Sequence, residues 1–247
     1  ELVLRKPLKS KTVSFTLPHD CFLSVRVPFE GSLIHNELME QFRWELSLLY
    51  PKISADELAI QYIKLEQPAD SASGSALVIA TFKKYLKMLH LFCQQNNLQL
   101  KFVDNVHLAS DNIIALKENR VPDDMYILSI YIADKFISVS AIQKKRPVYF
   151  QIHPYANAGE IIPKISAELK SNKYISISPE AVAKAYIAGD NVTDSMIDRL
   201  REAFQLDAER INPFEEISIP PEMFGNKFFT DKASSFTAAA GISYRMV

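Results

Sequence analysis

Polar and apolar residues alternate over 12–17, where Val13, Phe15 and Leu17 face one way and Thr12, Ser14 and Thr16 the other. The alternation returns at 22–27, with Leu23, Val25 and Val27 opposite Ser24 and Arg26, and Pro18-His19-Asp20 lies between the two runs. The pattern predicts a hairpin with one buried face. Ser32 is placed to cap a helix running to about Tyr50, because Ile34, Leu38, Phe42, Leu46 and Leu49 recur at helical spacing before Pro51. Ser54-Ala-Asp-Glu57 has capping-box spacing, but Ile60 and Tyr62 then alternate with Gln61 as in a strand. Residues 66–75 read as a flexible loop. A buried strand at Ala76–Ala80, a helix from Phe82 to Gln95, a strand at Leu98–Val103 and a helix from His107 to Asn119 complete the first half.

The composition shifts at Asn119–Asp124. Strands at Met125–Tyr131, Phe136–Ile142 and Val148–His153 then read as a meander, with Lys144-Lys-Arg-Pro147 as a charged turn. A helix from about Ala158 to Ser171 covers it, with Pro163 admissible only near its first turn. Ala181–Ile187 is an apolar strand. Thr193 caps a helix to Phe204 whose stripe is Val192, Met196, Leu200 and Phe204. Asn212-Pro213-Phe214 opens a loop, and Ala233–Ile242 reads as a last helix. The class is α/β with mixed sheets in two lobes.

At 247 residues and 48% hydrophobic, the chain can bury one sizeable core or two small ones. Its 28 Lys+Arg against 29 Asp+Glu give no long-range pull toward nucleic acid or an anionic membrane. The apolar runs are far shorter than the ~20 residues that span a bilayer. With no signal peptide at its start, the chain is expected in the cytosol. Cys21 and Cys93 sit among apolar residues and read as free buried thiols. His90 and Cys93 are too few for zinc. His19, His35, His90, His107 and His153 are scattered, with no set of three ligands along the chain. His19-Asp20-Cys21 sits in a tight turn and reads as structural. Asp123-Asp124 reads as a solvated loop, and Trp44 as either a rim residue or a partner contact. No catalytic residue and no metal site is expected. The 6 glycines leave few positions for loops that bring backbone N–H groups up to a phosphate.

Further runs stand out along the chain: Leu17-Pro18, Phe42-Arg43-Trp44-Glu45 with Tyr50-Pro51, and Ala76–Ala80 with Lys83-Lys84-Tyr85-Leu86. They continue with Val103-Asp104, Leu108-Ala109 and Asn112, then Tyr186-Ile187-Ala188-Gly189, Leu200, Ile211–Phe214 and Ala239–Arg245. In this order they resemble the type IV pilus assembly protein PilM family, an actin-like group related to the cell-division protein FtsA. The resemblance implies an actin-like ATPase fold, with ribonuclease-H-like topology in two lobes and an inserted small α+β subdomain. Residues 1–11 would be a remnant of the N-terminal lobe or a linker, 12–103 the inserted subdomain and 104–247 the core lobe.

Actin-like proteins hold nucleotide with two Asp-aliphatic-Gly hairpins and a paired-glycine adenosine loop. The first hairpin is not present, and the chain opens on Glu1 rather than Met. At the second, Tyr131 stands in place of the Asp and Ala133 in place of the Gly, with Asp134 shifted and expected on the other face of a strand. The adenosine loop reads Gly189-Asp190. These positions are expected to be vestigial, with no cofactor; ATP-magnesium would require an upstream segment to restore the site. The basic turn Gln143–Arg146 reads as a solvated tip. The resemblance implies a non-enzymatic adaptor at the cytoplasmic face of the inner membrane. It would bind the tail of a PilN-like bitopic membrane protein and, through it, serve the pilus motor ATPases; self-association is open. An actin-like ATPase and the cytoplasmic domain of a GspL-like type II secretion protein are the alternatives.

Overall fold

The structure, a computed structural model, describes residues 10–65, 73–118, 121–171, 179–190, 192–218 and 226–245. Its largest body is a five-stranded sheet of β6 (Tyr126–Ile132), β7 (Phe136–Gln143), β8 (Arg146–Pro154), β9 (Val182–Gly189) and β10 (Ala208–Arg210). The spatial order is β10-β9-β6-β7-β8. β6, β7 and β8 form the expected antiparallel meander, and β9 and β10 run parallel to β6. This is the ribonuclease-H-like arrangement.

Both faces of this sheet are covered, which is why β6 and β7 read as nearly unbroken apolar runs. Leu128, Ile130 and Ile132 point into a core that holds Ile161 and Ile165 of α4 (Ile161–Ser171) and Ile197 and Leu200 of α5 (Asp194–Phe204). Ile127, Tyr131 and Tyr186 face the other way, against Ile113 and Ile114 of α3 (Val106–Lys117) and Ala238 of α7 (Thr237–Tyr244). A short helix, α6 (Lys227–Asp231), precedes α7.

The described residues of 22–82 form a second body. β2 (Phe22–Glu30), β3 (Leu58–Lys64) and β4 (Ser73–Phe82) pair antiparallel in the order β2-β4-β3. Leu38, Phe42 and Leu46 of α1 (His35–Leu49) pack on Val27, Phe29, Leu58 and Val78. The helix is capped by Glu37, whose carboxylate accepts the Ile34 N–H at 2.9 Å. Ser32, the expected cap, instead donates to Glu30 at 3.0 Å.

The expected hairpin of 12–17 with 22–27 does not form. β1 (Thr12–Leu17) pairs in parallel with β5 (Gln99–Asn105), while β2 joins the other sheet. Alternation fixes which face a strand buries but not which strand lies beside it. The stretch 12–103 is therefore divided: the small subdomain is the 22–82 body, and β1 and β5 form a separate layer beside α2 (Lys83–Gln95). Residues 1–9 and 66–72 lie outside the described residues, whereas Ser73–Ser75 of the expected loop belong to β4. The helix expected over Ala158–Ser171 begins as a 3-10 turn at Ala158–Glu160, leaving Pro163 in the first α turn, where no N–H is needed. β10 and α6 carry too short a pattern to be predicted.

α3 and α7 touch at backbone distance. A Cβ built on Gly241 would stand 1.8 Å from the Ala109 carbonyl oxygen. Gly241→Ala therefore has to separate the two helices, and we expect it to lower stability in urea unfolding by about 2–3 kcal/mol. A change within about 0.5 kcal/mol would show that the helices are not in backbone contact.

Candidate functional site

The positions carried over as a nucleotide site do come together. β6 and β9 are parallel, with Tyr131 opposite Ala188 and Ile132 opposite Gly189, so Ala133-Asp134 and Gly189-Asp190 leave the sheet side by side at its C-terminal edge. Open α/β sheets bind ligands at such an edge. Here the backbone donors are already engaged. The Asp190 N–H donates to the Ile132 carbonyl at 3.0 Å and the Ala133 N–H to the Phe136 carbonyl at 2.9 Å. The acceptors are engaged too: the Tyr155 hydroxyl donates to the Ala133 carbonyl, and Ser234 Oγ to the Gly189 carbonyl at 3.0 Å.

Gly189 is required here. Its φ is +119° and an added Cβ would sit 2.0 Å from the Ile132 oxygen. Tyr131 is 4% exposed and packs into the core beneath α3 and α7. Burial, reinforced by the Asp190 charge, pushes its hydroxyl pKa well up. Asp134 is not on a strand, as its shifted register suggested; it lies exposed in the turn between β6 and β7. Asp190 is exposed as well, and the two carboxylates add to the burial that raises the Tyr155 pKa. The edge thus presents two acids and no unengaged amide at Ala133 or Asp190.

A buried polar chain runs beneath this edge. Asn105, which caps α3, accepts the His107 N–H on Oδ1 at 2.9 Å and turns its amide to His19 Nδ1 at 3.2 Å. His19 therefore carries its proton on Nε2 and donates to Ser138 Oγ at 3.0 Å. Ser138 in turn donates to His107 Nδ1 at 2.6 Å. His107 Nε2 donates toward Ser129 Oγ at 2.8 Å, with Asp111 Oδ1 at 3.3 Å, and Ser129 donates to the same Asp111 oxygen at 2.6 Å. One order of protons satisfies the chain from Asn105 to the carboxylate. Ser138, His107 and Asp111 have the composition of a hydrolytic triad, but Ser138 and His107 are 0% exposed, so no substrate reaches them.

Linear spacing hid this cluster, because His19 and His107 meet only through the fold, at 6.4 Å between ring centroids. Two signals were present in the sequence. His107 and Asp111 are one helical turn apart behind a capping Asn, and Ser129 and Ser138 interrupt apolar strands. Among the described residues no group of three His, Cys, Asp or Glu is placed to hold a metal.

The third feature is a groove of about 300 Å³ between the small subdomain and α3, bounded also by the turn between β7 and β8. Gln61, Tyr62 and Ile63 of β3 form one wall; Leu108, Asp111, Asn112 and Ala115 of α3 form the other. Gln61 and Ile63 share a sheet face with Ile79 of the central strand β4, which also lines the groove, whereas Tyr62 points to the other face; the groove therefore runs along that face and reaches the β3 edge. Among the described residues β3 is an edge strand, paired only with β4. At the groove's end Arg245 pairs with Asp104 and lies 5.0 Å over the Phe102 ring. Burial pushes the Asp104 carboxyl pKa up despite that partner. Trp44 lies outside these sites, 59% exposed on α1.

No protein-family profile matches the chain, and no curated protein matches it by sequence. Solved structures share its fold. The PilM–PilN type IV pilus biogenesis complex matches with a TM-score of 0.72 at 13% identity, over 96% of this chain and 80% of that one. A Bacteroides thetaiotaomicron protein with an actin-like ATPase fold and unknown function matches with a TM-score of 0.52 at 9% identity, over 94% and 74%. The cytoplasmic domain of EpsL, an inner-membrane component of the Vibrio cholerae type II secretion system, reaches a TM-score of 0.45, too weak a likeness to build on. The fold is the actin-like ATPase fold. Among the described residues no helix is long and apolar enough to cross a membrane.

Burial, and then the neighbouring His107, lower the His19 pKa to about 3. The unfolded chain, with a histidine pKa near 6.5, then binds more protons than the folded one between about pH 3 and 6.5. His19 thus contributes its full stability above about pH 6.5, and that contribution falls with pH, at up to about 1.4 kcal/mol per pH unit. Urea unfolding from pH 7.5 to 4.5 should show this slope, and His19→Gln, which keeps a donor and an acceptor, should flatten it. An equal slope in both proteins would place the titration elsewhere.

Proposed function

We propose that this chain is a non-enzymatic adaptor with an actin-like fold, which takes an extended peptide into the groove beside β3. The observation that carries this reading is the open edge of β3, bordering a groove walled by α3. An extended segment can add to such an edge by main-chain pairing, while pockets choose its side chains. The turns at Ala133 and Gly189 support the non-enzymatic part, because their amides bond to carbonyls and their carboxylates repel phosphate. A PilM–PilN complex shares the fold over 96% of this chain. By that analogy the peptide is the cytoplasmic tail of a PilN-like membrane protein, and the chain works at the inner membrane within a type IV pilus or related secretion platform.

Calorimetric titration with the cytosolic tails of PilN-like proteins encoded beside this chain should give a Kd of roughly micromolar order. Ala115→Trp, which fills the groove from α3, should weaken binding about tenfold or more. No binding by any such tail would contradict the adaptor reading. Millimolar ATP with magnesium should move Tm by less than about 1 °C, whereas productive binding well above Kd contributes about 2–3 kcal/mol and several degrees. A rise of several degrees would restore the nucleotide reading.

A further inference from the structure

The α3 wall of the groove carries a side chain whose chemistry is incomplete. Leu108, Asp111, Asn112 and Ala115 recur at the spacing of one helical face, so the Asp111 carboxylate shares the face that lines the groove. Its side chain is only 10% exposed. Oδ1 accepts from Ser129 and faces His107, but the buried Oδ2 has no hydrogen-bond partner among the described residues. A buried carboxylate oxygen left without a donor is costly, and a ligand that brings a donor recovers that cost. Ile63, Ile79, Leu108 and Ile142 line the groove with apolar surface. Lys145 and Arg245 also line it, and Arg245 is paired with Asp104, so Asp111 is the acid of the groove with an oxygen lacking a donor among the described residues.

We infer that the groove selects a peptide by a lysine side chain, whose ammonium Asp111 receives at the end of an apolar stem. This deepens the adaptor reading and rests on it for the peptide, though not for the cation pocket. A lysine side chain and a free peptide N-terminus offer the same ammonium. The four-carbon lysine stem matches the apolar walls, whereas a chain terminus would have to enter end-on.

The test uses short probes on the whole chain, read by amide NMR. They are acetyl-lysine methylamide, its uncharged isostere acetyl-norleucine methylamide, and norleucine methylamide with a free α-amine. A saturable shift at 61–63 and 108–115 with acetyl-lysine methylamide, at least fivefold tighter than with acetyl-norleucine methylamide, is the expected result; that preference from norleucine methylamide alone would assign the pocket to a peptide N-terminus and overturn the lysine. Asp111→Asn should abolish that preference. Equal binding of charged and uncharged probes, or no saturable shift, overturns the inference, and this comparison stands on the unmodified chain if Asp111→Asn does not fold. The membrane-protein tail distinguishes the two readings. If it binds equally well with each lysine replaced by norleucine and its N-terminus acetylated, the cation pocket fails and the adaptor survives. If no tail binds while acetyl-lysine methylamide does, the adaptor fails and the pocket survives.

Discussion

Helix α3 lies on the central sheet through side chains that can be buried only as a set. His107, Ser129, Ser138 and His19 are each at most 2% exposed, and each would be costly there without a partner. Their hydrogen bonds run in one direction from Asn105 to Asp111, so displacing any one leaves a buried donor or acceptor unmatched. This constraint ties three parts of the chain together: the link between β1 and β2 through His19, the start of α3, and the middle of β6 and β7. Apolar packing alone would allow α3 to slide on the sheet, whereas the polar chain sets its position and hence that of the groove wall.

Much of the architecture was legible from pattern. The meander of β6, β7 and β8 and the spacing of α1 were readable because each element carries its own periodicity. The partners of β1 and β2 were not, because alternation records a face and not a neighbour. β10 is three residues long, and no period exists at that length. The motif runs themselves were more informative than they looked. Ala109 and Gly241 lie in separate runs yet meet at backbone contact, and Asn112 donates to the Gly241 carbonyl at 3.4 Å. Arg245 of the last run reaches Asp104 of the earlier one. Three of those runs thus form one packed unit of β5, α3 and α7.

The nucleotide-like positions were legible as a set, and the strand register brings them to one edge. Their chemistry was only half readable. Sequence identified the acids and the missing glycine at 133. That the amides of Ala133 and Asp190 bond to backbone carbonyls, and that Tyr155, Ser234 and Ser235 engage the turn carbonyls, depends on residues distant in the chain. Asp111 was invisible as a site residue because its significance lies in one oxygen with a partner and one without.

The central claim is that the groove beside β3, and not the edge at Ala133 and Gly189, receives the ligand. Amide hydrogen exchange reads both places in one measurement. With a saturating PilN-like tail, slowed exchange is expected across 58–64 and along the α3 face, with the amides of 131–134 and 188–190 unchanged. Added ATP-magnesium should leave every segment as it was. Protection at 131–134 and 188–190 by ATP-magnesium, with none across 58–64 from the tail, would contradict the account.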